Sequence, residues 1–210
     1  MIKNIVITGA NRGIGLAMCV HFKAQGDNVF ALCRQSSVEL EKLAVNIIED
    51  IDVATDLGIA NMVLALSHVD IDVLVCNAGI LRDESLTELN LATIREQFEV
   101  NAIAPLRIVA SLQSHLNEGA KIALITSRMG SISDNGSGGR YGYRMSKAAL
   151  NAAAMSLSHD LAHNKVAVGV YHPGYVQTDM VNYGGDISAS DSAKKLVGLI
   201  NNLTLIELSL

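Results

Sequence analysis

The chain has no tryptophan, two prolines, three phenylalanines and three cysteines, and each shortage removes a class of protein. Cys19, Cys33 and Cys76 are an odd number with no C-x-x-C spacing, which argues against a disulfide framework and against a cysteine-built zinc site. Free thiols, buried or half-buried, are the expectation. So few prolines exclude a Pro-rich modular protein, and no stretch has the composition of a linker, a repeat or a low-complexity tract. Basic residues are also in deficit, 16 against 21 acidic, for a formal net charge of −5. Phosphate polymers and anionic lipid therefore find no general attraction, and neither a nucleic acid nor a membrane is expected as partner. Apolar runs such as the one ending at Cys76 are far too short to cross a bilayer. The N-terminus lacks a basic region followed by a long apolar stretch, so a cytoplasmic location is the expectation.

What is present is hydrophobic residue in abundance, 50% of 210 residues, with 17 glycines. That suffices for one substantial core, and residues 1–210 are read as one domain. Short Val/Ile-rich runs alternate with stretches of helical period. The expected strands are Lys3–Ile7, Asn28–Leu32, Asn46–Ile48, Asp72–Cys76, Lys121–Thr126 and Val166–Tyr171. The expected helices are Ile14–Gln25, Ser37–Leu43, Asp56–Ser67, Thr93–Asn117, Ser146–Asn164 and Ser190–Asn202. Strands alternating with helices imply a parallel sheet with crossovers, and strands apolar on both faces, such as Val73-Leu74-Val75, imply helices on both sides. The fold class is α/β, a doubly wound parallel sheet of the Rossmann type with six core strands. Its ligands sit beyond the carboxyl ends of the strands.

The first strand runs into Thr8-Gly9-Ala10-Asn11-Arg12-Gly13-Ile14-Gly15 and then a helix pattern. A strand turning sharply into a helix needs residues without Cβ where backbone approaches pyrophosphate, and the helix start offers free N–H groups and partial positive charge. The spacing is G-x-x-x-G-x-G rather than G-x-G-x-x-G. At this point the sequence resembles the short-chain dehydrogenase/reductase family. The resemblance implies four further motifs, and all are present in order: Asn77-Ala78-Gly79, Ser127, Tyr143 with Lys147, and Pro173-Gly174. It covers the chain from Lys3 to about Asn202. The stretch through Ser127, Gly138-Gly139, Tyr143-Arg144 and Asn151 is most similar to the C-factor and sniffer-type carbonyl reductases.

The resemblance implies a nicotinamide dinucleotide held by Gly9, Asn11, Arg12, Gly13, Ile14, Gly15, Asn77, Ala78, Gly79, Tyr143, Lys147, Pro173, Gly174, Val176 and Thr178. Asp52 and Val53 match the adenine-flanking pair, with Asp50 two residues earlier as a rival. Cys33 stands where NAD-binding relatives place a carboxylate for the ribose 2′-hydroxyl. Arg34 follows it and Arg12 lies in the glycine loop, and guanidinium groups suit a 2′-phosphate. NADP is therefore the expected cofactor over NAD.

Reducing a carbonyl leaves negative charge on oxygen, which must be protonated or stabilised as it forms. Tyr143 is the expected proton donor. Lys147, four residues on and so on the same helix face, places a cation beside the phenolate. Tyr141 has no Lys at plus four. Ser127 matches the substrate-orienting serine, with Ser131 as a rival, and Asn101 matches an asparagine that supports a water chain to the lysine. His159 and His163 have metal-ligand spacing but no third ligand or H-E-x-x-H glutamate nearby, so no metal is expected.

The expected substrate is a small carbonyl or alcohol compound, recognised by a loop at about 179–190 that carries Met180, Val181 and Tyr183, and by residues 129–139. A homodimer through the helices at Thr93–Asn117 and Ser146–Asn164 is one expectation, and intramolecular packing of Ala148, Ala149, Ala152 and Ala153 is the other. The resemblance weakens at the C-terminus, where most family members continue into a seventh strand. Leu205 to Leu210 alternates, as a short edge strand, a tail or a helix extension would. Two further functional readings stand beside the enzyme: a dinucleotide-binding regulatory protein of the C-factor type with little turnover, and a shortened relative that folds marginally.

Overall fold

The computed structural model describes residues 2–205, and all six expected strands are among them. They are β1 (Asn4–Thr8), β2 (Asn28–Leu32), β3 (Asn46–Ile48), β4 (Ile71–Cys76), β5 (Leu116–Ile125) and β6 (Ala167–Tyr171). They form one parallel sheet in the order β3-β2-β1-β4-β5-β6. The order reverses between β1 and β4, and the crevice above that point is where such sheets take ligands. The segment Leu205–Leu210, read as an edge strand, a tail or a helix extension, lies largely outside the described residues.

Period two along the strands builds two cores. Val6, Leu74, Ile122 and Leu124 face one side of the sheet, packed with Ile108, Leu112, Leu150 and Leu157. Ile5, Ile7, Val73, Val75 and Ile125 face the other, packed with Met18, Phe22, Leu196 and Ile200. The helices supplying these layers are α1 (Gly13–Ala24), α2 (Val38–Glu41), α3 (Asp56–Ala65), α4 (Leu91–Phe98), α5 (Ala104–Leu112), α6 (Tyr141–Asp160) and α7 (Ala189–Asn201). Several starts are capped as their sequences direct. Thr55 accepts from Gly58 N–H, Asn90 from Ala92 and Thr93, and Ser188 from Asp191. All three cysteines are buried and free; burial pushes Cys19 and Cys76 up to about 12 and Cys33 to about 11.

Two boundaries differ from the sequence reading in ways that bear on the site. The expected helix Thr93–Asn117 is not continuous. It is α4, a π-helical turn at Glu99–Ile103, α5 from Ala104, and a 3-10 turn at Gln113–His115. The chain then enters β5 at Leu116, five residues before the expected start at Lys121, with Gly119 at φ 82° carrying a backbone that no helix accepts. Periodicity sees apolar spacing but not the wider turn that one extra residue opens. The second difference is α6, which begins at Tyr141 rather than Ser146. A glycine in the first turn, Gly142, reads locally as loop.

Candidate active site

The glycine loop closes β1 onto α1. Gly9 and Gly13 have φ of 64° and 56°. A Cβ on Gly15 would lie 2.2 Å from the Gly9 carbonyl oxygen, so helix and loop meet backbone to backbone. Arg12 gives α1 no side-chain cap, and the first turn holds no acidic residue. Its leading N–H groups are therefore available to an anion. Thr8 Oγ1 accepts from the N–H groups of Asn77 and Ala78 (3.0 and 3.1 Å). The Asn77 amide donates to the carbonyls of Thr8 and Gly9 (3.0 and 3.1 Å). The Asn77-Ala78-Gly79 segment thus holds the loop's shape from the next strand. A dinucleotide fits this cradle: glycines where bulk would collide, an uncapped helix start for the pyrophosphate, and a neighbouring strand end to line its middle.

The adenosine end is more mixed than the sequence implied. Arg34 is exposed beyond β2, and Asn11 Nδ2 donates to the Gln35 carbonyl at 2.9 Å. Val53 is buried in the core, and Asp52 Oδ1 accepts from Ala54 N–H at 3.0 Å. Asp50, the rival position, is exposed with φ 59°. Local reading missed Glu49: its Oε1 accepts from Ser36 N–H at 2.6 Å, so a carboxylate does stand beside the β2 loop, delivered from the end of β3. Arg12 is drawn the other way, with Nη1 3.2 Å from Asp179 Oδ2.

The catalytic candidates converge where β5 ends and α6 begins. Ser127 follows β5, and its Oγ accepts from Met129 N–H at 3.1 Å. Tyr143 is buried, with the Ser127 side chain close enough to its phenol to favour the charged form. Burial raises the pKa of Tyr143 above its usual value, opposed by the neighbouring Ser127 hydroxyl and by the Arg140 guanidinium. Lys147 lies one turn on, its Nζ 5.9 Å from the Tyr143 ring centroid and donating to the Ile125 carbonyl at 2.8 Å. Burial lowers Lys147 to about 8. The lysine is thus placed as its spacing implies.

Asn101 is fully buried in the π-helical turn. Its side chain accepts from Ile80 N–H and donates to Ile80 O, both at 2.8 Å, and donates to Ser146 Oγ at 3.1 Å. It joins the segment after β4 to α6, and π turns of this kind recur at functional sites. Ser131 points elsewhere, toward Ser133 Oγ at 3.2 Å. After β6, Pro173-Gly174 leads to buried Val176, and Thr178 packs against Gly13, whose Cβ would lie 3.3 Å from Thr178 Cγ2. The loop beyond is tied by Gln177 N–H to Ile187 O at 2.9 Å. His159 lies in α6 and His163 in a 3-10 turn after it. Among the described residues no group of three metal-ligating side chains assembles, and no helix is long and apolar enough to cross a membrane.

The chain is similar to known proteins in sequence and fold. A family model described as short chain dehydrogenase matches residues 3–187. The 1-hydroxy-2-glutathionyl-2-methyl-3-butene dehydrogenase of Rhodococcus sp. (strain AD45) is 33% identical over 204 residues, covering 96% of this chain and 90% of that protein. C-signal of Myxococcus xanthus is 40% identical over 136 residues, 63% of this chain and 82% of that protein. An NADPH-bound carbonyl reductase from chicken fatty liver superposes with a TM-score of 0.87 at 28% identity, covering 97% of this chain and 92% of that one.

Proposed function

The chain belongs to the short-chain dehydrogenase family, an oxidoreductase fold, and we propose that within it this protein is an NADP(H)-dependent reductase of a small, uncharged carbonyl compound. The observation that carries the reading is the assembly of Ser127, Tyr143 and Lys147 at one strand end, beside an uncapped glycine loop. Bound in that cradle, a reduced dinucleotide would supply the hydride. Ser127 Oγ orients the substrate carbonyl, and Tyr143 Oη gives its proton to the carbonyl oxygen as negative charge grows there. A phenol whose pKa burial has raised is held in its acid form, which is the form a proton donor needs. Lys147 Nζ, within reach of the Tyr143 ring, would hold the ribose and steady the tyrosinate that proton transfer leaves. Asn101 ties the Ser146 hydroxyl of the same helix to the Ile80 backbone.

Arg34 is assigned to the 2′-phosphate, with Arg12 as second cation once Asp179 yields it. The NADPH-bound chicken structure supports this choice, and Glu49 beside the same loop opposes it. The exposed apolar groups Ile132, Met180 and Tyr183 on the two flanking loops favour an apolar substrate. Exposed Ile103, Leu106 and Met145 on α5, α6 and the π turn suit a homodimer.

The test is NADPH oxidation over a panel of aldehydes and ketones. Tyr143→Phe is expected to lower kcat by about a hundredfold or more, with NADPH binding kept; unchanged turnover in that variant would defeat the mechanism. Arg34→Asp is expected to weaken NADPH about tenfold or more and leave NADH nearly unaffected. The likeness to C-signal favours a second reading, a regulatory dinucleotide-binding protein. NADPH binding without turnover on any carbonyl would select it.

A further inference from the structure

Helix α6 opens without a cap of its own. Arg140, at its N-terminal boundary, has a left-handed backbone at φ 52° and makes no side-chain bond to the first turn. Helix starts leave N–H groups unpaired, and burying them unpaired is unfavourable. The missing partner arrives from the chain after β4. Glu84 is 3% exposed. Its Oε2 accepts from Gly142 N–H at 3.2 Å, its Oε1 accepts from Gln97 Nε2 at 2.6 Å and Thr93 Oγ1 at 2.8 Å, and its carbonyl accepts from Arg140 N–H at 2.8 Å. Asp83 beside it holds Arg140 Nε at 3.1 Å. Gln97 closes the ring, its Oε1 accepting from Arg82 N–H at 2.9 Å. The packing is tight: a Cβ on Gly142 would lie 2.4 Å from Gln97 Nε2 and 3.0 Å from Ile94 Cα.

We propose that Glu84 is a positioning residue for Tyr143: its buried carboxylate caps α6 in trans and sets where that helix starts relative to the Asn77-Ala78-Gly79 segment. Tyr143 is the residue after the capped Gly142, and Lys147 follows on the same rigid helix. A shift of the cap therefore moves the proton donor with respect to the glycine loop. Three donors converge on this carboxylate, so an amide cannot replace it. With one oxygen only, a glutamine at position 84 sets its NH2 against an N–H or O–H. Removing Gln97 Nε2 from the same ring by Gln97→Glu sets carboxylate against carboxylate. The two changes together restore one amide and one carboxylate to the ring, with Arg82 N–H and Gly142 N–H each again facing an oxygen.

The inference rests on the reading of Tyr143 as proton donor, and its test separates the two. Wild type, Glu84→Gln, Gln97→Glu and the double variant are compared for NADPH affinity, for kcat and KM on a carbonyl, and for amide exchange in the first turn of α6. Glu84→Gln is expected to lower kcat about tenfold to a hundredfold with KM for NADPH within about twofold. First-turn exchange is expected to speed up. The double variant is expected to recover kcat to within about threefold of wild type and to slow that exchange again. Wild-type kcat in Glu84→Gln, or a double variant that regains thermal stability but not kcat, overturns the proposal. If Glu84→Gln does not fold, Gly142→Ala, which displaces Gln97, is expected to give the same split between kcat and KM; equal losses in both overturn the proposal. A wild type that turns over no carbonyl removes the functional reading alone. First-turn exchange that rises in Glu84→Gln and falls in the double variant then still supports the cap, and exchange that is the same in all four removes it.

Discussion

Two helices of this molecule begin in nearly the same way and end up opposite in character. Both α1 and α6 start after an arginine that supplies no cap, Arg12 and Arg140. At α1 the first turn carries no carboxylate and the glycines around it keep bulk away. At α6 a carboxylate from 58 residues earlier is bonded to the first turn. A helix N-terminus attracts negative charge in either case. Where the protein leaves that demand unmet, a ligand phosphate can meet it; where the demand is met internally, the helix becomes a fixed mount for Tyr143 and Lys147.

The strongest way to break the comparison is to put bulk at the open end. Gly15→Ala places a methyl group 2.2 Å from a backbone oxygen and 2.6 Å from Asn77 Nδ2; backbone cannot yield as a side-chain tip can. The expected outcome is loss of NADPH binding in a titration, with stability lower by about 1–3 kcal/mol in denaturant melts. Binding at wild-type affinity would show that α1 is not the phosphate site.

A change at the filled end acts through charge. Burial lowers Lys147 from 10.5 to about 8, so the unfolded chain holds this proton more tightly than the folded one. Wild-type stability should therefore rise as pH goes from about 8 to about 10.5 and carry the full penalty, about 3 kcal/mol, below that window. Lys147→Met removes the titration. Its stability relative to wild type should be greatest near pH 7 and shrink toward pH 10.5 in urea melts; a gap that does not change with pH would contradict the shift.

A smaller effect is expected from making α1 resemble α6. Arg12→Asp supplies the cap that α1 lacks, a change worth about 1 kcal/mol to a helix start, while placing negative charge where phosphate is proposed to bind. NADPH should bind more weakly although the helix is better capped, as calorimetry would show. Smallest of all is the exposed pair Arg12–Asp179. Asp179→Asn should change the melting free energy by less than about 1 kcal/mol, and its informative readout is whether NADPH binds more tightly once Arg12 is released.

Much of this was legible in the sequence, for a reason that shows in which parts failed. The glycine loop, the strand alternation and the Tyr143–Lys147 spacing are local patterns, and local backbone geometry converts them directly into shape: a turn needs glycine, a parallel strand is apolar on both faces, and residues four apart share a helix face. The fold class and the convergence of Ser127, Tyr143 and Lys147 follow from such patterns. The π turn at Glu99–Ile103 and the early start of α6 escaped because each hangs on a contact made elsewhere, Asn101 with Ile80 and Ser146, and Gly142 with Glu84.

The sequence by itself therefore determined the scaffold, the glycine loop and the place of Tyr143, the proposed proton donor, on its helix. Only the tertiary structure decided what surrounds them: Glu84 and Gln97 on the start of α6, Glu49 at the β2 loop, and Asp179 on Arg12. Those partners lie between 13 and 167 residues apart along the chain. Most are joined by packing across elements rather than by any repeat within one, and a polar side chain's partner is fixed only when the backbone carrying each has been placed.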